Sequence, residues 1–165
     1  MHDASYALMG ELRSHVPAGA RVLDVGGADV NGTYRPLFQD AAVYTSLDFH
    51  NADIVVAGYE WPLEDASFDA VLCGQTFEHD RFFWLTMRNI ARVLVPGGAA
   101  IVIAPSTGPV HRHPVDCYRF YPDGMKALAE WSGLDLVGHR WDHSSPWHDL
   151  GAVFQKPRAE KARTA

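Results

Sequence analysis

Two hydrophobic patterns alternate along the chain. Short runs are apolar at nearly every position: RVLDVGG (residues 21–27), AAVYTSLD (41–48), ADIVVAG (52–58), FDAVLCG (68–74), PGGAAIVIAPS (96–106), LDLVGHRW (134–141) and LGAVFQK (150–156). Each has the length of a strand, and glycine or proline punctuates most of the junctions. Between them lie stretches with helical spacing. Residues 4–16 form an amphipathic helix candidate stopped by Pro17 and Gly19. Residues 82–94 place Phe83, Met87, Ile90 and Leu94 on one face. Residues 121–133 have Pro122 near the start and Gly133 at the end, the usual helix punctuation. Residues 32–40 are a weaker candidate.

Strands apolar throughout, alternating with helices, predict an α/β fold. Its core is a seven-stranded, mostly parallel sheet with helices on both faces. Only a loop separates the last two strands, so they are expected to pair as an antiparallel hairpin. Ligands of such sheets bind outside the carboxyl ends of the strands, where the strand order reverses. That rule gathers the turns after Val25, Asp48, Ala57, Cys73 and Ala104 around one crevice.

Length and composition narrow the class. The chain has 165 residues, of which 47% are hydrophobic. This suits one domain over residues 1–156, with an N-terminal helix within 1–18 and a loose, solvated tail at 157–165. The formal net charge is −6, whereas a nucleic-acid binder usually presents a basic face. No nucleic-acid partner is expected. Two cysteines, Cys73 and Cys117, are too few for a disulfide framework. No run approaches the ~20 apolar residues of a membrane span, and the start has no signal-peptide pattern. The expectation is a soluble, cytoplasmic protein without a membrane partner.

Two motifs near the start point to a nucleoside-bearing ligand. In VLDVGGADVNG, Gly26 and Gly27 let the backbone approach a ligand closely. The dinucleotide spacing G-x-G-x-x-G is broken by Ala28 and Val30, which disfavours a nicotinamide cofactor. Asp24, two residues before Gly26, suits a ligand with a cationic part better than a pyrophosphate. Asp48 closes the second strand about 20 residues past the glycine turn, the usual place for a partner of ribose hydroxyls.

The third motif is SFDAVLCGQTFEHDRFFWLTMRNIARVLVPGGAAIVIAPS. Phe68, Asp69 and Val71 lead to Glu78 and His79, then a helix, then Arg92, Val93, Leu94, Pro96, Gly97 and Gly98, then an apolar strand. Here the sequence resembles the class I S-adenosylmethionine-dependent methyltransferases, in particular the broad small-molecule "type 11" group. The resemblance runs over residues 21–133. It implies the Rossmann-like methyltransferase fold, whose sheet ends in an antiparallel hairpin, and S-adenosyl-L-methionine as cofactor. It matches Asp24, Gly26 and Gly27 to the loop under the methionine part and Asp48 to the ribose-binding acid, with Phe49 beside it. Tyr59, Glu60 and Trp61 match the turn near the adenine. Gln75 to Glu78 and His79 match the segment facing cofactor and substrate. One departure is the glycine loop, commonly G-x-G-x-G, which here has Gly26, Gly27 and then Gly32. A reshaped loop that keeps the cofactor is the expectation. A non-catalytic S-adenosylmethionine-binding protein of the same fold is the rival.

The loop HRHPVDCYRF at residues 111–120 carries the remaining chemistry. It follows the fifth strand and so hangs over the crevice. It resembles an H-x-x-P-x-D-x-Y-R-F pattern of the same group. As a metal site it offers His111, His113 and Asp116, with His139, His143 and His148 further on. No HExxH or CxxC spacing supports that reading, so no metal is expected. As an acceptor loop it offers His111 or His113 as general base, alongside His79, with Asp116, Tyr118 and Arg119 holding the substrate. As a structural loop it has Asp116 and Arg119 paired to pin a lid. The last two roles are compatible. O-methylation of a small-molecule, natural-product or sugar (glycan) hydroxyl is the expected reaction, because a hydroxyl needs a base and histidine is the usual choice. N-methylation of a small amine is the alternative. The expected bare core leaves the acceptor side open to a large substrate or to a second subunit, as in a homodimer.

Overall fold

A computed structural model describes residues 3–29 and 32–158; the sequence reading of the tail over 159–165 and of the loop at Val30 falls outside the described residues. Seven strands form one sheet: β1 (Arg21–Val25), β2 (Val43–Asp48), β3 (Ile54–Val55), β4 (Phe68–Gly74), β5 (Leu94–Pro105), β6 (Asp135–Trp141) and β7 (Asp149–Gln155). Their order is β3-β2-β1-β4-β5-β7-β6. The first five pair in parallel, with Leu23 beside both Thr45 and Val71. β7 runs antiparallel to both β5 and β6. The chain builds outward from β1 to β3, then returns to β4 on the other flank of β1. The order therefore reverses between β1 and β4, and the crevice opens above their carboxyl ends.

Both faces of the sheet are covered. Helix α1 (Asp3–Leu12) lays Leu8, Met9 and Leu12 against Val22, Ile101, Ile103 and Val153. Gly151 in β7 makes room for it, since a Cβ there would lie 2.6 Å from Leu12 Cδ1. On the other face, helices α2 (Phe83–Val93) and α3 (Pro122–Ser132) bury Met87, Ile90, Val93, Met125 and Leu128 on Leu23, Val71, Cys73 and Val102. Adjacent residues of one strand thus serve opposite faces, which is why the runs are apolar at every position. α3 begins with Pro122 and ends at Gly133 in the left-handed conformation (φ +72°), as its punctuation predicts.

Three elements differ from the sequence reading. The first helix leaves α geometry at Leu12 and tightens to a 3-10 turn over Arg13–His15, where Val16 N–H bonds the Arg13 carbonyl. The weak candidate at 32–40 is only a 3-10 turn over Arg35–Phe38, held by the burial of Tyr34 and Phe38. The third strand shrinks to two residues. There the Asp53 carboxylate takes the backbone N–H (2.8 Å) and Oγ (2.9 Å) of Ser46, and side-chain bonds stand in for a ladder.

Candidate active site

The crevice is built by two touching turns. β1 ends at Val25, and Gly26 follows with φ +75°, a conformation that strains any residue with a Cβ. A Cβ on Gly26 would also lie 2.0 Å from Thr76 Oγ1, in the turn after β4. A Cβ on Gly27 would come within 2.8 Å of Asp24 Cγ. Asp24 is folded beneath the turn, 2% exposed, and accepts a hydrogen bond from the Tyr44 hydroxyl at 2.6 Å. Burial pushes its carboxyl up to about 7, against the opposing pull of that bond and of Arg35. The sequence presents Asp24 as a carboxylate offered to a cationic ligand. The fold uses it to support the glycine turn from below.

Asp48, at the end of β2, stands beside the same turn. Its Oδ2 accepts the Ala28 N–H at 3.2 Å and its Oδ1 the Phe49 N–H at 2.6 Å. An ionised carboxylate has about four acceptor positions, so two remain for a vicinal diol. Phe49, 63% exposed, stands beside it as an apolar plate. In the link from β3 to β4, the Tyr59 hydroxyl donates to Asp80, and Asn89 Nδ2 donates to the Tyr59 carbonyl at 2.7 Å. Glu60 is exposed. Trp61 is buried in the core, with its carbonyl taken by Arg92. Of these three, only Tyr59 and Glu60 have surface to offer a ligand.

After β4, Gln75 adopts a left-handed backbone (φ +55°), unusual outside glycine. Its N–H holds the Ile103 carbonyl, and its amide donates to Asp149 Oδ1 at 3.1 Å. Glu78 is fully enclosed, and among the described residues neither carboxylate oxygen has a side-chain hydrogen-bond partner. Burial is the main cause that pushes its pKa up to about 8. His79 lies beside it, with Nε2 3.6 Å from Glu78 Oε1. His79 Nδ1 is 2.6 Å from the Val115 carbonyl. A carbonyl only accepts, so Nδ1 carries the proton and Nε2 keeps the lone pair. Burial holds the His79 pKa below its ordinary value, so the ring is neutral at neutral pH.

The loop between β5 and α3 closes over this segment. The Cys117 N–H donates to the Glu78 carbonyl at 2.6 Å, and the Phe120 N–H to the Pro105 carbonyl at 2.9 Å. His111 and His113 pack edge-on against His79, at 4.8 and 6.2 Å between ring centroids. Arg119 forks onto Asp116 through Nη1–Oδ1 (2.6 Å) and Nη2–Oδ2 (2.9 Å) and reaches the Pro109 carbonyl at 2.9 Å. Asp116 Oδ2 also accepts the His111 N–H at 2.8 Å. Its side chain is 2% exposed, and Arg119 holds its pKa well below the usual carboxylate range. The Tyr118 hydroxyl donates to the Arg81 carbonyl at 2.9 Å. The Asp116–Arg119 pair therefore pins the loop. Tyr118 and Arg119 also line a shallow cleft with Phe83 and Tyr121.

Some contributors escape the sequence reading. Trp147 packs its ring 4.4 Å from that of His111. It comes from the loop joining β6 and β7, and only the pairing of β7 with β5 brings that loop to the site. Thr76 and Val115 lie inside the segments 75–79 and 111–120 that the sequence singles out, but they act through packing and a carbonyl, roles that no motif records.

Residues 10–102 match the model of a family described as "Methyltransferase domain". That is more than half of the chain, and the protein belongs to this family, the type 11 group of class I S-adenosylmethionine-dependent methyltransferases. Its cofactor is S-adenosylmethionine. No curated protein matches the sequence. Many solved structures share the fold. One is an S-adenosylmethionine-dependent methyltransferase from Archaeoglobus fulgidus, with TM-score 0.74 and 13% identity, covering 93% of this chain and 94% of that one. Another is the Burkholderia thailandensis 1,6-didemethyltoxoflavin-N1-methyltransferase, determined with 1,6-didemethyltoxoflavin and S-adenosylhomocysteine. It has TM-score 0.70 and 18% identity, covering 93% of this chain and 76% of that one. The cyclase SpnF also shares the fold, with TM-score 0.71 and 16% identity, covering 92% and 80%. At such identities the likeness is one of fold. The crevice suits the cofactor on its own terms: a glycine turn, a carboxylate with two acceptor positions left and an exposed phenyl ring line one wall.

Proposed function

We propose that the protein is an O-methyltransferase acting on a hydroxyl of a small molecule, natural product or sugar. The observation that carries this reading is His79, a neutral imidazole whose Nδ1–H is fixed by Val115 and whose Nε2 is left basic. Asp48 is the partner of the ribose hydroxyls, Phe49 the wall of the adenine, and the Gly26 turn the close approach of backbone to the methionine part. When bound, S-adenosylmethionine supplies a methyl group already activated on a sulfonium. With the cofactor bound, His79 Nε2 would take the proton of the acceptor hydroxyl whose oxygen receives the methyl group. The loop at residues 106–121 holds water out, and its cleft at Tyr118 and Arg119 steadies the acceptor. Orientation of this kind is worth on the order of 7–11 kcal/mol at best, and a positioned base typically adds 10²–10⁴-fold.

N-methylation is the second reading, favoured by the shared fold with an N1-methyltransferase. An amine that is neutral when bound has less need of a base, so the two readings differ in their dependence on His79. The test is an acceptor screen that follows S-adenosylhomocysteine release, run with the native chain and with His79→Ala. Hydroxyl acceptors are expected to turn over, with the variant at least 10²-fold slower. Turnover of amines alone, at the same rate in both proteins, overturns the O-methylation reading. Calorimetric titration with S-adenosylmethionine and S-adenosylhomocysteine separates both from a non-catalytic protein, and absence of binding removes the enzyme altogether.

A further inference from the structure

Glu78, His79 and His111 meet although thirty-odd residues separate the last from the first two. One carboxylate oxygen and one ring nitrogen from each histidine lie within 4.8 Å of one another. Two features of the trio lack an explanation from protein contacts alone. Glu78 is 0% exposed, and among the described residues no other side chain hydrogen-bonds either of its oxygens; its own backbone N–H and the more distant Arg119 charge only partly answer it. Burying a carboxyl in this way is costly unless something answers it. The second feature is the facing pair. His79 Nε2, the ring nitrogen without the proton, lies 3.6 Å from Glu78 Oε1, too far for a hydrogen bond. Two atoms bound to one tetrahedral zinc at about 2.0–2.1 Å stand roughly 3.4 Å apart. The observed gap is that of two ligands of one cation.

We propose that Glu78, His79 and His111 bind one divalent transition-metal ion, zinc in the first instance, as a two-histidine, one-carboxylate site. Three protein ligands leave a fourth position open, and this donor set suits zinc. The surroundings fit the role. Metal-bound histidines usually donate their second ring N–H to a carbonyl or carboxylate, which fixes the tautomer. His79 does so to Val115 at 2.6 Å. His111 is steadied by Trp147 and by its N–H on Asp116, whose Oδ2 also lies 3.3 Å from His111 Nδ1. Ligand atoms that stand up to 4.8 Å apart have to close to roughly 3.4 Å to complete the shell, and at 36% exposure the His111 ring has room to do so. The chemistry of the donors carries this inference, which does not rest on the choice of methyl acceptor. A loaded site engages the Nε2 lone pair, so zinc removes the proposed base, and methylation of a hydroxyl belongs to the zinc-free protein.

The test uses the full chain, stripped with chelator and titrated with zinc by calorimetry, then with cobalt(II) by visible absorption. One equivalent is expected to bind, and cobalt is expected to show the intense bands of tetrahedral coordination. Glu78→Gln and His111→Ala should each lower zinc affinity at least tenfold, while His143→Ala in the outer β6–β7 loop leaves it unchanged. Glu78→Gln keeps the shape of the side chain, and His111→Ala removes a half-exposed ring. Thermal melts confirm that each variant folds, and one folded variant suffices. Absence of a one-to-one zinc isotherm overturns the proposal, as does an affinity that Glu78→Gln and His111→Ala leave unchanged. S-adenosylmethionine binding, measured on the same stripped protein, reports separately on the methyltransferase reading.

Discussion

His79 donates its Nδ1–H to the carbonyl of Val115, 36 residues further along the chain. This one bond joins the segment after β4 to the loop after β5. It fixes the tautomer of the proposed base and the closure of the loop together. His79→Ala is expected to lower single-turnover methyl transfer by 10²–10⁴-fold. The affinity for S-adenosylmethionine should change by less than about threefold, because Asp48 and the glycine turn are untouched. Rapid-quench turnover and calorimetry check the two halves of that statement.

Asp48→Ala is expected to do the reverse. It removes the acceptor of the two ribose hydroxyls, and hydrogen bonds to a charged group are worth about 1.5–3 kcal/mol each. Cofactor affinity should fall at least tenfold. Calorimetric titration with S-adenosylhomocysteine measures it, and an unchanged affinity removes Asp48 from the cofactor site.

Asp24 gives stability a pH dependence. Its folded pKa of about 7 lies above the ordinary value of 3.8. Between those values the unfolded chain is ionised there while the folded chain holds a proton. Stability contributed by this group is therefore greatest near pH 4, declines up to about pH 7, and is flat beyond. Asp24→Asn keeps an acceptor for the Tyr44 hydroxyl and removes the titration. It should match the native protein near pH 4 and exceed it at pH 8 by on the order of 2–4 kcal/mol. Urea melts across that range check it, and parallel curves for the two proteins would sink the assignment.

Gly26→Ala places a methyl 2.0 Å from Thr76 Oγ1 at a positive φ. A loss of about 2–3 kcal/mol is expected from strain and crowding. Adding Thr76→Ala removes the Oγ1 and Cγ2 contacts but keeps a Cβ at 3.0 Å, so it should restore most of the crowding part and leave about 1 kcal/mol of backbone strain. The double-mutant cycle in urea separates the two. Full recovery would mean that φ at this turn carries no cost.

Arg119→Ala leaves the Asp116 carboxylate buried without its cation. Removing one partner of a fully buried pair costs about 3–5 kcal/mol; Arg119 is 21% exposed and Asp116 keeps the His111 N–H, so a loss below that range is expected. The loop should open first, seen as faster hydrogen exchange at Cys117 and Phe120, whose N–H groups tie it to Glu78 and Pro105.

The sheet was legible because its strands are apolar at every position, a pattern set by local sequence and by burial on two faces. The positions of Asp48 at the end of β2 and of the glycine turn after β1 were legible because their separation follows the strand–turn–strand repeat. The Asp116–Arg119 pin was readable as an i,i+3 pair within one loop. The rest depends on long-range contact. Nothing near Gly26 announces that Thr76 lies against it. Histidine spacing drew attention to His111, His113 and the later histidines. The nearer association is with Glu78 and His79, which only the meeting of two loops creates. Trp61 lies in the turn that the resemblance matches to the adenine site, and its indole is packed in the core.

The hydroxyl of Tyr34 lies 2.2 Å from where a Cβ on Gly74 would stand, and it bonds Ser5 Oγ in α1 at 2.6 Å. The opening helix is thereby wired to the last residue of β4, one position before Gln75. A fragment begun at β1 would bare Leu8's partners on the sheet and leave this hydroxyl without its mate. Split-protein complementation should then succeed in one direction: a synthetic peptide of residues 1–18, added in trans, restores the missing face and with it the cofactor crevice.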